Sequence, residues 1–128
     1  MRKFLLLIFT IFVITVFCHT EKATAETLNM LVTAYCPCEK CCGESSDGRT
    51  SKNDDAYICD GVAADPKAIP YRTKLKIPGA GIKEVDDTGG AMRQSWRKKG
   101  IYHIDLRFSN HQDALNWGRQ QLDVEILK

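Results

Sequence analysis

The chain has 128 residues with 18 basic and 16 acidic side chains. Arg2, Lys3, Lys22 and Glu21 fall within the first 25 residues, so the remaining 103 carry 15 charges of each sign. That length holds one domain rather than two, and the near-neutral balance excludes a nucleic-acid binder.

The opening MRKFLLLIFTIFVITVFCHTEKATA has a basic start, an apolar run from Phe4 to Cys18 and a small-x-small site at Ala23-Thr24-Ala25. It reads as a secretory signal peptide over residues 1–25. The apolar run, 15 residues, is short for a membrane span of roughly 20. No stable membrane insertion is therefore expected of the remainder, residues 26–128, which is placed outside the cytoplasm.

Leu28–Tyr35 is rich in strand formers and runs into Cys36-Pro37-Cys38-Glu39-Lys40-Cys41-Cys42. Thiolates at this spacing suit tetrahedral zinc. Export favours disulfides, so the reading is a structural staple tying Cys36, Cys38, Cys41 and Cys42 to Cys59, with one thiol of the five left over. No metal and no cofactor are expected.

Residues 43–56 contain almost nothing apolar and read as an exposed loop. Gly61–Ala64 is a short buried strand stopped by Asp65-Pro66. Lys74–Pro78 alternates as a half-buried strand should. Ile82–Asp87 is another strand, ending in the turn Thr88-Gly89-Gly90. Met92–Gly100 carries Arg93, Arg97, Lys98 and Lys99 and reads as a solvated basic excursion.

Ile101–Phe108 is the most informative strand. Alternation puts Tyr102, Ile104, Leu106 and Phe108 on one face, and His103, Asp105 and Arg107 on the other. Asp is disfavoured within strands, so Asp105 asks for a reason. Ser109 and Gln112 form a capping box for a short helix closed by Gly118, and His111 in its first turn reads as solvated. Leu122–Leu127 is a last alternating strand. Six short strands and one short helix make a mainly β chain, which closes into a small barrel to remove its edges.

Val62-Ala63-Ala64-Asp65-Pro66, Ile69-Pro70, Asp87-Thr88-Gly89-Gly90-Ala91 and Ile104-Asp105 together resemble the three-aspartate (3D) domain family. Thr33-Ala34-Tyr35 and Ala114–Gly118 resemble its first strand and its C-terminal segment. The similarity covers roughly residues 31–127. It implies a six-stranded double-psi β-barrel, similar to the catalytic domain of membrane-bound lytic transglycosylase A and to small secreted cell-wall enzymes. It also implies peptidoglycan as partner and cleavage of the β-1,4 bond between N-acetylmuramic acid and N-acetylglucosamine. Asp105 then corresponds to the catalytic acid/base. Asp65, Asp87, Thr88, Gly89 and Gly90 line or order the substrate groove, the glycines letting a glycan lie against the backbone. Asp86 has no counterpart and reads as solvated. A close cation would hold the Asp105 carboxyl ionised, so Arg107 is expected to turn away or to engage another acid. The connection from Asp87 to Asp105 is longer than the family usually has, and Thr50–Asn53 departs from its Thr-Ala-Ser-Gly-like segment. The alternative reading is a non-catalytic polysaccharide-binding barrel like those of expansins.

Overall fold

The computed structural model describes residues 25–128 other than Ser45 and Cys59. The signal-peptide expectation lies outside the described residues, as does Cys59. Six strands form a closed barrel, as the alternation predicts: β1 Glu26–Tyr35, β2 Gly61–Ala63, β3 Lys74–Ile77, β4 Gly81–Asp87, β5 His103–Arg107 and β6 Gln120–Leu127. Their order around the barrel is β1-β5-β2-β4-β3-β6. The β1–β5 and β2–β4 pairs are parallel, and the other contacts are antiparallel.

The interior is apolar and continuous. Met30 and Val32 of β1, Val62 of β2, Leu75 and Ile77 of β3, Val85 of β4, Ile104 and Leu106 of β5 and Val124 of β6 meet there. Each comes from alternate positions of its strand, as a closed sheet requires. Hairpin β3–β4 turns through Pro78 and Gly79, with the Ala80 amide donating to the Ile77 carbonyl over 3.0 Å. Gly79 has φ of 80°, the left-handed value that the third position of a type II turn demands.

Among the described residues, three helices lie outside the barrel: α1 Glu39–Cys42, α2 Gly90–Lys99 and α3 His111–Trp117. The sequence reading foresaw α3 alone, and its cap is shifted by one. Asn110, not Ser109, is the N-cap, its side chain accepting from the Asp113 amide at 2.9 Å. Residues 92–100 are not a loop excursion but largely a docked helix, on which Arg97, Lys98 and Lys99 remain exposed. Helix α2 is docked by buried Met92, by Trp96 against Tyr102 with ring centroids 4.9 Å apart, and by Arg97 3.7 Å from Asp65. Its closing Arg97, Lys98 and Lys99 suit the negative end of the helix dipole. Among the described residues, no helix is long and apolar enough to cross a membrane.

Gly61, at the start of β2, is pressed against β4. A Cβ there would collide with the Asp86 carboxylate. Gly61→Ala is expected to lower stability by about 1–3 kcal/mol, read as a fall in the urea midpoint at unchanged slope.

Candidate active site

Strand β2 organises the site. It is hydrogen-bonded to β4 on one side and β5 on the other, and Ala63 is the partner of both Asp87 and Asp105. Val62, one residue earlier, pairs with Val85 and Leu106 in the barrel interior. Alternation therefore turns Ala63 and the two aspartates to the outer face, with only a methyl group between them.

The register of β2 against β4 slips at Val62/Ala63, a bulge that sets Asp86 and Asp87 together opposite Ala63. Both then reach Arg107 of β5. Its guanidinium makes a very short ion pair with Asp86, lies 3.9 Å from Asp87 and donates to the Tyr35 hydroxyl at 3.0 Å. Burial disfavours the Arg107 cation, but the hydrogen bond to Asp86 and the pairing with Tyr35 outweigh it and raise its pKa. Arg107 thus engages another acid, as expected. Asp86 corrects the sequence reading: it is a half-buried partner of a buried cation, not a solvated turn residue.

Asp87 is held on all sides. Its Oδ2 accepts from the Tyr35 hydroxyl at 2.7 Å, and its Oδ1 from the amides of Ser51 and Thr88, both at 2.8 Å. Only 9% of Asp87 is exposed. The donor at Ser51 comes from the segment read as an exposed loop; Thr50 and Ala56 of that segment are buried.

Asp105 differs. It is half-buried, and its Oδ1 accepts from the Thr33 hydroxyl at 2.7 Å. Burial pushes its carboxyl up, the Thr33 hydrogen bond opposes this, and the charge of Asp87 adds to the rise; the net direction is upward. Behind Thr33 stands His103, whose Nε2 is 2.9 Å from the Thr33 hydroxyl and whose Nδ1 is 2.9 Å from the Ser95 hydroxyl of α2. With Thr33 donating to Asp105, the tautomer that completes the chain has its proton on Nε2 and accepts from Ser95 at Nδ1. Burial, helped by the charge of Arg119, lowers the His103 pKa and favours this neutral form.

The third aspartate is placed apart. Asp65 is 2% exposed; its Oδ1 accepts from the Lys67 amide at 3.0 Å, and its Oδ2 faces Arg97. It orders the turn after β2 and anchors α2. In the DTGG segment, Gly89 is packed against Met92, where a Cβ would meet the methionine methyl, while a Cβ at Gly90 would meet open space. Gly90 alone of the two leaves its backbone approachable. A cavity of about 450 Å³, lined by Tyr57, Phe108, Trp117 and Arg107 among others, does not include Asp65, Asp87 or Asp105.

Among the described residues, Cys36, Cys38, Cys41 and Cys42 form no disulfide; Cys59, their expected partner, lies outside them. His111, read as solvated, packs its Nδ1 within 3.6 Å of the sulfurs of Cys36, Cys38 and Cys41.

A small closed barrel whose outer face presents two coupled aspartates, one hydrogen-bonded to saturation and one with a raised pKa, defines an acid-bearing β-barrel domain. The family model of the 3D domain matches residues 60–128, more than half of the chain, and the chain belongs to that family. The match contains all three aspartates; β1, which supplies Thr33 and Tyr35, precedes it. Over 115 residues, 88% of this chain, it is 29% identical to YabE of Bacillus subtilis (strain 168), a protein named as a candidate in cell wall shaping. Over 77 residues, 60% of the chain, it is 32% identical to the cell wall-binding protein YocH of the same organism. These matches cover 26% and 23% of the two relatives, so the chain spans about a quarter of their length.

The raised pKa of Asp105 has a consequence for stability. The native state keeps a proton that the unfolded chain has already released, so stability falls as pH climbs from the ordinary carboxylate range through the raised pKa. Asp105→Asn carries no charge at any pH. It is expected to match the wild type near about pH 4 and to exceed it near about pH 8, seen as a widening gap between their urea midpoints.

Proposed function

We propose that this chain acts on the cell wall as a peptidoglycan lytic transglycosylase, outside the cytoplasm, with Asp105 as its single acid/base. The observation that carries this reading is the half-buried Asp105 carboxyl, raised in pKa beside the saturated carboxylate of Asp87. A general acid must hold its proton near neutral pH, and these surroundings favour that form. The names of YabE and YocH, both tied to the cell wall, support the substrate class.

Ordinary glycosidases use two carboxylates placed on either side of the bond. Here Asp87 is occupied by three protein donors and does not present a free second carboxylate. One acid suffices if the substrate supplies the nucleophile. Asp105 protonates the bridging oxygen as the bond from C1 of N-acetylmuramic acid breaks. The resulting Asp105 carboxylate then takes the proton of the muramoyl C6 hydroxyl as that oxygen bonds to C1. The products are a free N-acetylglucosamine hydroxyl and a 1,6-anhydromuramoyl end, with Asp105 protonated again. The negative charge of Asp87 favours the oxocarbenium-like state, and Thr33, backed by His103, orients the Asp105 carboxyl. Asp65 serves indirectly, by fixing α2.

The second reading, a barrel that binds glycan without cleaving it, is favoured by the name of YocH. Digestion of purified peptidoglycan followed by mass spectrometry separates the two. Wild type is expected to produce anhydro ends, and Asp105→Asn to lose about 10²–10⁴-fold in rate while still sedimenting with peptidoglycan. Sedimentation by both proteins without anhydro product would establish the binding reading instead.

Activity should fall as pH rises and Asp105 loses its proton. Thr33→Val removes the hydrogen bond that lowers the Asp105 pKa, so the alkaline limb of the pH–rate profile is expected to move to higher pH. An unmoved or downshifted limb would remove Asp105 from the acid role.

A further inference from the structure

Three thiols and one imidazole converge at the end of β1, away from the hydrogen bonds of the aspartates. Cys36 follows the last residue of β1, Cys38 is the N-cap of α1, Cys41 lies within α1, and His111 is the first residue of α3. The Cys36 sulfur is 2.6 Å from that of Cys38 and 3.4 Å from that of Cys41. The Nδ1 of His111 is 3.6, 3.6 and 3.3 Å from the sulfurs of Cys36, Cys38 and Cys41. All four ligand atoms lie within 4.8 Å of one another.

We propose that Cys36, Cys38, Cys41 and His111 form a structural zinc site. Tetrahedral zinc with ordinary bond lengths places sulfur and nitrogen ligands about 3.5 Å apart and two sulfurs about 3.8 Å apart. The three sulfur–nitrogen separations already match. Cys36 and Cys38 sit closer than two zinc-bound sulfurs, and the ion would spread them by about 1 Å. A Cys36–Cys38 disulfide would account for that one contact. It leaves unexplained why Cys41 and an imidazole 70 residues or more along the chain turn to the same point. The donor set is soft and nitrogenous, which selects zinc over calcium or magnesium. Three cysteines and one histidine fill a tetrahedron, so no position remains for water and the site holds structure rather than catalysing. Cys42 stands outside the set, its thiol donating to the Cys36 carbonyl at 3.3 Å.

Binding releases the three thiol protons to solvent and leaves the imidazole neutral, with its Nδ1 lone pair on the metal. The ion would join the end of β1 to the start of α3. Tyr35, whose hydroxyl holds both Asp87 and Arg107, immediately precedes Cys36. The metal would therefore brace the end of the strand that carries Tyr35.

The test uses the chain purified with its thiols reduced, given zinc and dialysed. Elemental analysis is expected to find one zinc per chain, and cobalt in its place is expected to give the intense visible bands of a tetrahedral thiolate complex. Cys38→Ser and His111→Ala should weaken zinc binding by more than about tenfold, whereas Cys42→Ser should leave it unchanged. A chelator should lower the melting temperature of the wild type and of Cys42→Ser. Reduced wild-type chain that retains no zinc and shows no cobalt bands overturns the proposal, even if a variant fails to fold. So does equal loss in Cys42→Ser and His111→Ala. Recovery of the native chain from the envelope with these cysteines paired in disulfides overturns it also.

Discussion

The buried guanidinium of Arg107 is the interaction on which the rest of this surface depends. Three carboxylates, Asp86, Asp87 and Asp105, are gathered on two strands flanking one alanine, and their mutual repulsion must be relieved. Arg107 pairs with the two that the β4 bulge delivers to the same spot. A buried ion pair contributes little net stability, because desolvation offsets most of the attraction, but losing one partner is costly. Its value here is in partitioning charge. Asp86 and Asp87 are drawn to the cation and to neutral donors, while Asp105 is left in surroundings that favour its protonated form.

The two central aspartates are thus chemically unequal although both are partners of Ala63. Asp87 is enclosed by a hydroxyl and two amides, and Asp105 by one hydroxyl that itself leans on an imidazole. The line from Ser95 through His103 and Thr33 to Asp105 runs from α2 across two barrel strands. Helix α2 is held near its start by buried Met92 and in its second half through Ser95 on His103 and Arg97 on Asp65. The segment between Asp87 and Asp105 is consequently part of the support for the acid, not an ornament beside it.

The strands were legible because a barrel wall must alternate, and Lys74–Ile77 and His103–Arg107 do so cleanly. Asp105 was legible as an acid where strands avoid acids. Helix α2 was not, since its apolar contacts are few, Met92 and Trp96, and its anchoring is polar and distant in sequence. The bulge left no signal in Val85-Asp86-Asp87, where two adjacent acids look like a turn; pairing with Ala63 and Arg107 reveals it. Thr33 and Tyr35 share the outer face of β1 by simple alternation, and that spacing is the sequence signal for their part in the site. His111 reads as solvated because its partners lie in another part of the chain. Asp65 was readable as the aspartate before a proline, but its burial under Arg97 was not.

The first and last strands lie side by side and run in opposite directions, with Glu26 opposite Ile126. The two ends of the barrel consequently leave it from the same edge, a few ångströms apart. A unit built this way can be spliced onto or between other modules without reopening its wall. That geometry accords with matches that cover 26% and 23% of the two longer relatives.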